Sequence, residues 1–300
     1  MGEARYYGHT RFSVHLPGNR AWKTSRHTDD YANTLFDPRR MALRAEVFLS
    51  LAAPIYQSWA DRFAYRHIVH FSGDLPEPWR SLLEDAAVRH PCFILDEVTD
   101  EIQVDSVIAS DLMSVSDEPG LVVRIRVDDD DLLAADFLDR LETYVLPEHV
   151  GFAVSFGLGV AALYRHGAHT DFRLKREVLP SAGQAYIGRF DPSSMSVREL
   201  ADAPHNRIDT VAPVIFDSRE PMYLQTFHAR QDKEFGREDD PFARLKRHAP
   251  LEDAALLDAK FPTLTPQGSI PAQIDLDART ALESIDALRP SATLAPPAEA

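Results

Sequence analysis

The run Leu121-Val122-Val123-Arg124-Ile125-Arg126-Val127 passes without a break into four aspartates, Asp128-Asp129-Asp130-Asp131. The first seven residues, rich in β-branched and aliphatic side chains, read as a strand. Four like charges so close repel one another unless something cationic lies among them. The fold must therefore bring the end of that strand to a place where the charge is met. On a strand end side chains alternate, so Asp128 and Asp130 are expected on one side and Asp129 and Asp131 on the other. A divalent ion suits such a pair, because Mg²⁺ and Mn²⁺ prefer carboxylate, water and phosphate oxygens and complete their shell with a substrate diphosphate. The competing role is structural: Asp131, with Asp130, would cap a helix starting at Leu132 and complement its dipole. A Ca²⁺ loop of the EF-hand kind is disfavoured, since neither a glycine at the sixth nor a glutamate at the twelfth position follows Asp128.

Residues 11–16 alternate and stop at Pro17-Gly18, which reads as a first strand ended by a turn. Asp37-Pro38 offers a cap and a first helical residue. Met41, Ala45, Phe48, Leu51 and Ala52 then recur at helical spacing, with Pro54 bending or ending the helix. Strands at 65–71 and 93–95 alternate with helices at 78–89 and 105–116; after the acids, 132–144 reads as a helix and 152–163 and 172–178 as strands. Strands alternating with helices imply a Rossmann-like α/β fold, a mostly parallel sheet flanked by helices, with its ligand crevice beyond the carboxyl ends of the strands. The second half is more irregular. From Pro250 the composition shifts, giving a main domain over 1–250 and an appendage over 251–300 with short helices at 251–259 and 278–288, a Pro-rich link and a disordered tail.

Composition removes several classes of function. With 47 acidic against 32 basic residues the net charge is -15, which disfavours nucleic acid as a partner. Cys92 is the sole cysteine, so an intramolecular disulfide and a Cys-based metal site are excluded and a reducing cytoplasm fits. Residues 1–16 lack an apolar signal core and the apolar stretch 151–164 is too short to span a bilayer, so any membrane contact is peripheral, at the inner face.

Several segments resemble a known family. Residues 127–138, running from Val127 through the acids to Leu138, look like the DxD segment of GT-A glycosyltransferases. Together with Arg11-Phe12-Ser13-Val14, Leu35-Phe36-Asp37-Pro38, Ala42-Leu43-Arg44 and Asp74-Leu75-Pro76-Glu77-Pro78-Trp79, they are similar to a bacterial rhamnosyltransferase family over roughly residues 10–235. The resemblance implies a GT-A fold and a metal-dependent transfer of a sugar, rhamnose, from a nucleoside diphosphate (dTDP- or UDP-linked) to a hydroxyl of a glycan or other glycoconjugate. It implies Mn²⁺ or Mg²⁺ on Asp128, Asp130 and Asp131, with Asp129 at the nucleotide sugar. It also implies His228, in Leu224-Gln225-Thr226-Phe227-His228, as a further ligand, although Gln231 and Lys233 stand where the family pattern has Asn and Ser. A lone histidine also serves as an ordinary hydrogen-bonded residue.

Asp130 is the expected centre of the chemistry, and Asp171 a candidate base for the acceptor hydroxyl. Pro17, Arg20 and Trp22 after the first strand, Arg44 in the first helix and Arg126 before the acids are candidates for binding the nucleotide sugar; Trp22 equally suits the core, and Arg44 and Arg126 equally suit pairing with acids. His166 and His169 read as loop residues. The alternatives are a non-catalytic nucleotide-sugar or carbohydrate-binding protein of the same fold, or a nucleotidyltransferase, for which Pro17-Gly18-Asn19-Arg20 is a thin phosphate loop. The acidic surface and C-terminal helices leave room for a homo-oligomer.

Overall fold

The computed structural model describes residues 4–16, 31–165, 168–198, 200–201, 203–228 and 241–264. The alternation of strand and helix starts earlier than the sequence pattern suggests. β1 (Arg5–Arg11) precedes the expected strand at 11–16. Ser13 then takes a left-handed backbone, φ 50°, and the chain leaves the sheet. β2 (Tyr65–Ser72), β3 (Phe93–Val98) and β4 (Gly120–Arg126) join β1 in parallel, in the order β3-β2-β1-β4. This is the expected α/β core, with helices supplying the crossovers.

After β4 the chain changes sheet. β5 (Asp131–Leu133) belongs to a second sheet, so the acids span the gap between the two. β6 (Ala153–Phe156) returns to the first sheet, and β7 (Leu158–Arg165) and β8 (Ala168–Arg176) lie in the second. The sequence read 152–163 as one strand. The structure breaks it at Gly157, where a Cβ would overlap the Phe216 ring. β9 (Gln184–Asp191) runs antiparallel between β4 and β6, β10 (Ser196–Arg198) pairs with β9, and β11 (Val214–Asp217) closes the edge parallel to β6. β12 (Tyr223–Phe227) and β13 (Ala249–Pro250) complete the second sheet, ordered β13-β8-β7-β12-β5, in which only β12 and β7 are parallel.

The short helix α1 (Tyr31–Leu35) leads to α2 (Pro38–Ala45), capped by Asp37, whose carboxylate accepts from the Arg39 N–H at 2.9 Å. Pro54 does not end this helix. A π-helical stretch, Glu46–Ala52, carries it into α3 (Ala53–Ala60), and the Ala53 N–H bonds the Phe48 carbonyl five residues back. The wider turn relieves the clash a proline ring makes with the carbonyl four residues before it. α4 (Trp79–Arg89) and α5 (Val104–Val115) follow as expected. The expected helix at 132–144 is shorter: Leu132, Leu133 and Ala134 are all buried, a demand that β5 meets inside the fold, and α6 spans Phe137–Glu142. The acids therefore cap no helix.

Phe48, Tyr56 and Trp59 are fully buried between the first sheet and β5, and the Trp59 Nε1–H donates to the Ala135 carbonyl at 2.7 Å. α7 (Pro241–Leu245) and α8 (Ala254–Lys260) come last. Around α8, Leu251, Leu257 and the buried Phe261 pack on the main core, and the Lys260 ammonium meets Asp136 at 2.6 Å and Glu220 at 2.7 Å. Residues 251–264, read from composition as the start of an appendage, are thus tied to the core. The expected helix at 278–288 and the tail lie outside the described residues.

Trp59→Ala removes a fully buried indole and its hydrogen bond, so urea denaturation should show a loss of about 3–5 kcal/mol. Trp59→Phe, which keeps most of the volume, should lose much less.

Candidate functional site

The site begins where β4 stops. The Val127 N–H donates to the His9 carbonyl at 3.2 Å and the Thr10 hydroxyl donates to the Val127 carbonyl at 3.1 Å, so the strand end is held on β1. The acids then turn, with the Asp131 N–H donating to the Asp128 carbonyl at 3.2 Å. A turn does not preserve the alternation expected of a strand. Asp129 and Asp130 both meet one cation, the Arg44 guanidinium, which donates from Nη1 to Asp129 and lies 3.1 Å from Asp130 Oδ2 through Nη2. Arg44 is 5% exposed and Asp129 2%, so this pair is withdrawn from water. Asp128 is the outermost of the four, with Arg126 at 3.4 Å and Arg11 at 3.6 Å.

The opposite strand brings the remaining partners. β12 runs antiparallel to β5, so the Thr226 N–H reaches Asp131 Oδ1 at 3.3 Å, and the buried His228 Nε2 lies 3.3 Å from Asp130 Oδ2. A cleft of about 470 Å³ opens above the turn. All four acids, Arg44 and Arg126 line it. His228 sits beneath it against Asp130.

The environments set Asp128, Asp130 and Asp131 apart. Burial opposes ionisation of Asp130, yet the Arg44 guanidinium and His228 outweigh it and hold the carboxyl well below the usual range. Burial likewise opposes Asp128, and Arg126 with Arg11 brings it below its ordinary value. Asp131 goes the other way: burial first, then the Asp130 and Asp128 charges, push it well above the usual carboxylate range, against the pull of Lys175. Burial lowers the proton affinity of His228, against the opposing pull of Asp130.

Among the described residues no group of three or more His, Cys, Asp or Glu side chains forms a metal cage. Asp130 and His228 supply two donors side by side, and Asp128 borders the same cleft. Two or three protein donors with water and phosphate oxygens make a usual shell for Mg²⁺, so these residues fit an ion that enters with a diphosphate. Asp131 lines the cleft too, and its raised proton affinity disfavours it as a ligand.

Asp171 is not brought to this cluster. It lies in β8 with φ 52°, its carboxylate is held by Arg173 at 2.9 Å, and it does not border the cleft, so its placement gives no basis for the expected role as base. His169 is hydrogen-bonded to the Thr226 hydroxyl at 3.0 Å. Pro17, Arg20, Trp22 and His166 lie outside the described residues. Sequence reasoning missed Arg40, Lys175, Gln225, Arg244 and Arg247, which also line the cleft, and gave Arg11 no role. Arg40 follows the Asp37-Pro38 cap, the available signal for it, whereas Arg11 begins the strand expected at 11–16 and ends β1 only in the structure.

The sequence matches the family described as "Putative rhamnosyl transferase" over residues 5–237. No curated protein matches it. Among solved structures, residues 1–349 of S. aureus TarS are 10% identical, over 85% of this chain and 69% of that chain, with a TM-score of 0.33. The same fragment in complex with UDP-GlcNAc is 11% identical over 93% and 79%, with a TM-score of 0.33. The mannosyltransferase PcManGT from Pyrobaculum calidifontis, in complex with GDP-Man and Mn²⁺, is 13% identical over 94% and 73%, with a TM-score of 0.34.

Arg44→Met leaves Asp129 and Asp130 buried without their counter-charge and should cost about 3–5 kcal/mol at neutral pH, read by urea denaturation. Asp131 gives a pH signature. The folded protein holds its proton to higher pH than the unfolded chain, whose carboxyl titrates near ~3.9, so this group's contribution to stability falls as pH rises above that value. In Asp131→Asn that fall should be absent, so in thermal unfolding the variant should gain on wild type as pH is raised above the unfolded carboxyl's ~3.9.

Proposed function

We propose, from the premise that this chain belongs to the rhamnosyl transferase family, that it moves rhamnose from a dTDP- or UDP-linked donor to a hydroxyl of a glycan or other glycoconjugate acceptor. The chain is a glycosyltransferase by its family. The sugar, the base and the dependence on Mn²⁺ or Mg²⁺ are the proposal. Its main support is the turn at the carboxyl end of β4, where carboxyls of opposite proton affinity, Asp128 and Asp130 lowered and Asp131 raised, border one cleft and the buried His228 imidazole lies beneath against Asp130.

A departing nucleoside diphosphate develops negative charge, and the site must stabilise it. Arg11 and Arg126 at the ends of β1 and β4, with Arg40 from α2, line the cleft on the side of the first sheet, where a diphosphate would meet them. Asp130, with His228 and Asp128, would hold a divalent ion. Such an ion supplies Lewis-acid stabilisation of the leaving phosphate when bound. Arg44 takes a positioning role beneath them: it fixes the carboxylate of Asp130 in its ionised state and presents it to the cleft. Among the described residues no helix is long and apolar enough to cross a membrane. A cytoplasmic setting, with any membrane contact peripheral, agrees with the single buried thiol, Cys92.

Purified protein incubated with dTDP-rhamnose, UDP-rhamnose and other nucleotide sugars, with and without Mn²⁺ or Mg²⁺, should release nucleotide from a rhamnose donor only when metal is present. Asp130→Ala should lower that release by about a hundredfold or more, the scale of losing one transition-state stabiliser. Equal release by wild type and variant would remove Asp130 from the chemistry, and an absence of nucleoside diphosphate binding would overturn the proposal.

A further inference from the structure

A chain of buried polar groups reaches the acid turn from inside the core. His67 of β2 is fully buried among aromatic rings: Tyr56 stacks on its imidazole at 4.3 Å, and Phe48 and Phe93 lie 5.7 and 5.6 Å away. A phenylalanine would pack such a site without the cost of burying two ring nitrogens. Here both nitrogens are engaged. Nδ1 lies 2.7 Å from the Tyr65 hydroxyl and Nε2 3.0 Å from the Thr10 hydroxyl, and Thr10 lies 3.1 Å from the Val127 carbonyl. The neighbouring strand is shaped for this contact. Gly8 of β1 has no room for a side chain, since a Cβ there would come within 2.2 Å of the Tyr65 hydroxyl and 2.4 Å of His67 Nδ1.

The protons on this chain have one arrangement. A carbonyl oxygen only accepts, so the Thr10 hydroxyl gives its single proton to Val127 and is left as an acceptor towards His67. His67 must therefore carry its proton on Nε2, and its bare Nδ1 accepts from the Tyr65 hydroxyl. Burial, then the neighbouring His70, lower the His67 pKa to about 3, so the imidazole stays neutral near pH 7. Every proton in the chain has an acceptor, and a satisfied network in a low dielectric is rigid.

The chain ends at the foot of the cleft. Thr10 directly precedes Arg11, and Val127 stands between Arg126 and Asp128; both arginines meet Asp128. The bond between Thr10 and Val127 thus sets β1 against the end of β4 at the point where Arg11 and Arg126 converge on Asp128. The turn then closes through the Asp131 N–H on the Asp128 carbonyl at 3.2 Å.

We propose that His67 and Thr10 are positioning residues for the acid turn: the His67 Nε2–H directs the Thr10 hydroxyl onto the Val127 carbonyl, and that bond holds Asp128 against Arg11 and Arg126. Its effect on catalysis rests on the transferase reading, while its effect on the order of the turn does not.

Amide hydrogen exchange of the full-length protein and donor turnover test the proposal together. Thr10→Val keeps the side-chain shape and removes the hydroxyl. Exchange at the Val127 and Asp131 amides should accelerate about tenfold more than in β6, the scale of one buried hydrogen bond. With the rhamnose donor and Mn²⁺, kcat for nucleotide release should fall about tenfold while KM for the donor stays within about twofold. Thr10→Ser, which restores the hydroxyl, should bring both readouts back to within about threefold of wild type. His67→Leu should show the same pattern at about threefold, and His67→Gln, whose amide N–H reaches Thr10 in place of Nε2, should not. A merely structural role would accelerate exchange in β6 and in the turn alike and leave kcat per folded molecule unchanged. Either result in Thr10→Val would overturn the proposal, as would a failure of Thr10→Ser to restore the turn. If wild type releases no nucleotide from any donor, the transferase reading fails and the exchange pattern alone decides the positioning role.

Discussion

The Arg44 guanidinium, buried beneath Asp129 and Asp130, is the interaction on which the rest of this structure depends. Two carboxylates taken out of water at adjacent positions carry a desolvation cost of several kcal/mol each, which mutual repulsion increases. One delocalised cation with donors on both sides of its fork meets two acceptors at once, which an ammonium on a flexible stem does less well. α2 delivers it. The Asp37 cap sets where that helix begins, Pro38 sets its first turn, and Arg44 falls in its last turn, facing inward beside Arg40. The π-helical stretch that follows keeps the axis running through Pro54, so α3 can carry Tyr56 and Trp59 into the core.

The acid run sits where it does because the chain changes sheets there. β4 ends in the first sheet and β5 begins in the second, and the four residues between them cross the seam that becomes the cleft. A crossing turn gives each carboxyl a different neighbour. The outermost faces two arginines and some solvent, the middle pair shares Arg44, and the last is buried beneath the Thr226 amide. Asp128, Asp130 and Asp131, chemically identical, thereby acquire different proton affinities, the condition under which adjacent carboxyls can divide labour.

Much of this could be read in the sequence, for reasons that differ by element. The strand leading to the acids and the strands at Tyr65 and Phe93 carry local patterns that the fold preserves, since each lies paired in the parallel core, and the helix at Pro38 keeps its cap. The misreadings cluster where two sheets share one stretch of chain. Leu132 to Ala134 looked helical because burial on all sides erases periodicity, and residues 152–163 looked like one strand because Gly157 changes sheet without a break in hydrophobicity. Lys175 left no signal at all, and Arg40 only its place after the Asp37-Pro38 cap, since a cation that reaches a distant acid is marked by nothing in its own neighbourhood. Asp171 stands out in the sequence only by its position along the chain, and its partner two residues on, Arg173, already satisfies it.

β12 shows how little backbone is needed to organise the site. Its parallel pairing with β7 and antiparallel pairing with β5 place five residues between the acids and the wall of the cleft formed by the second sheet. Along it, the Gln225 side chain accepts from Lys175, the Thr226 amide reaches Asp131, Phe227 carries Arg244, and His228 just beyond meets Asp130. Successive residues of a strand point to opposite faces, so one strand serves Asp131, Asp130 and the second-sheet wall of the cleft together. A shift of one residue in its register against β5 would break all of these contacts at once. The buried run of Tyr223 and Leu224 at the start of the strand, packed in the main core, fixes that register. The geometry at the reacting end is therefore set by hydrophobic packing at the other end of the same strand.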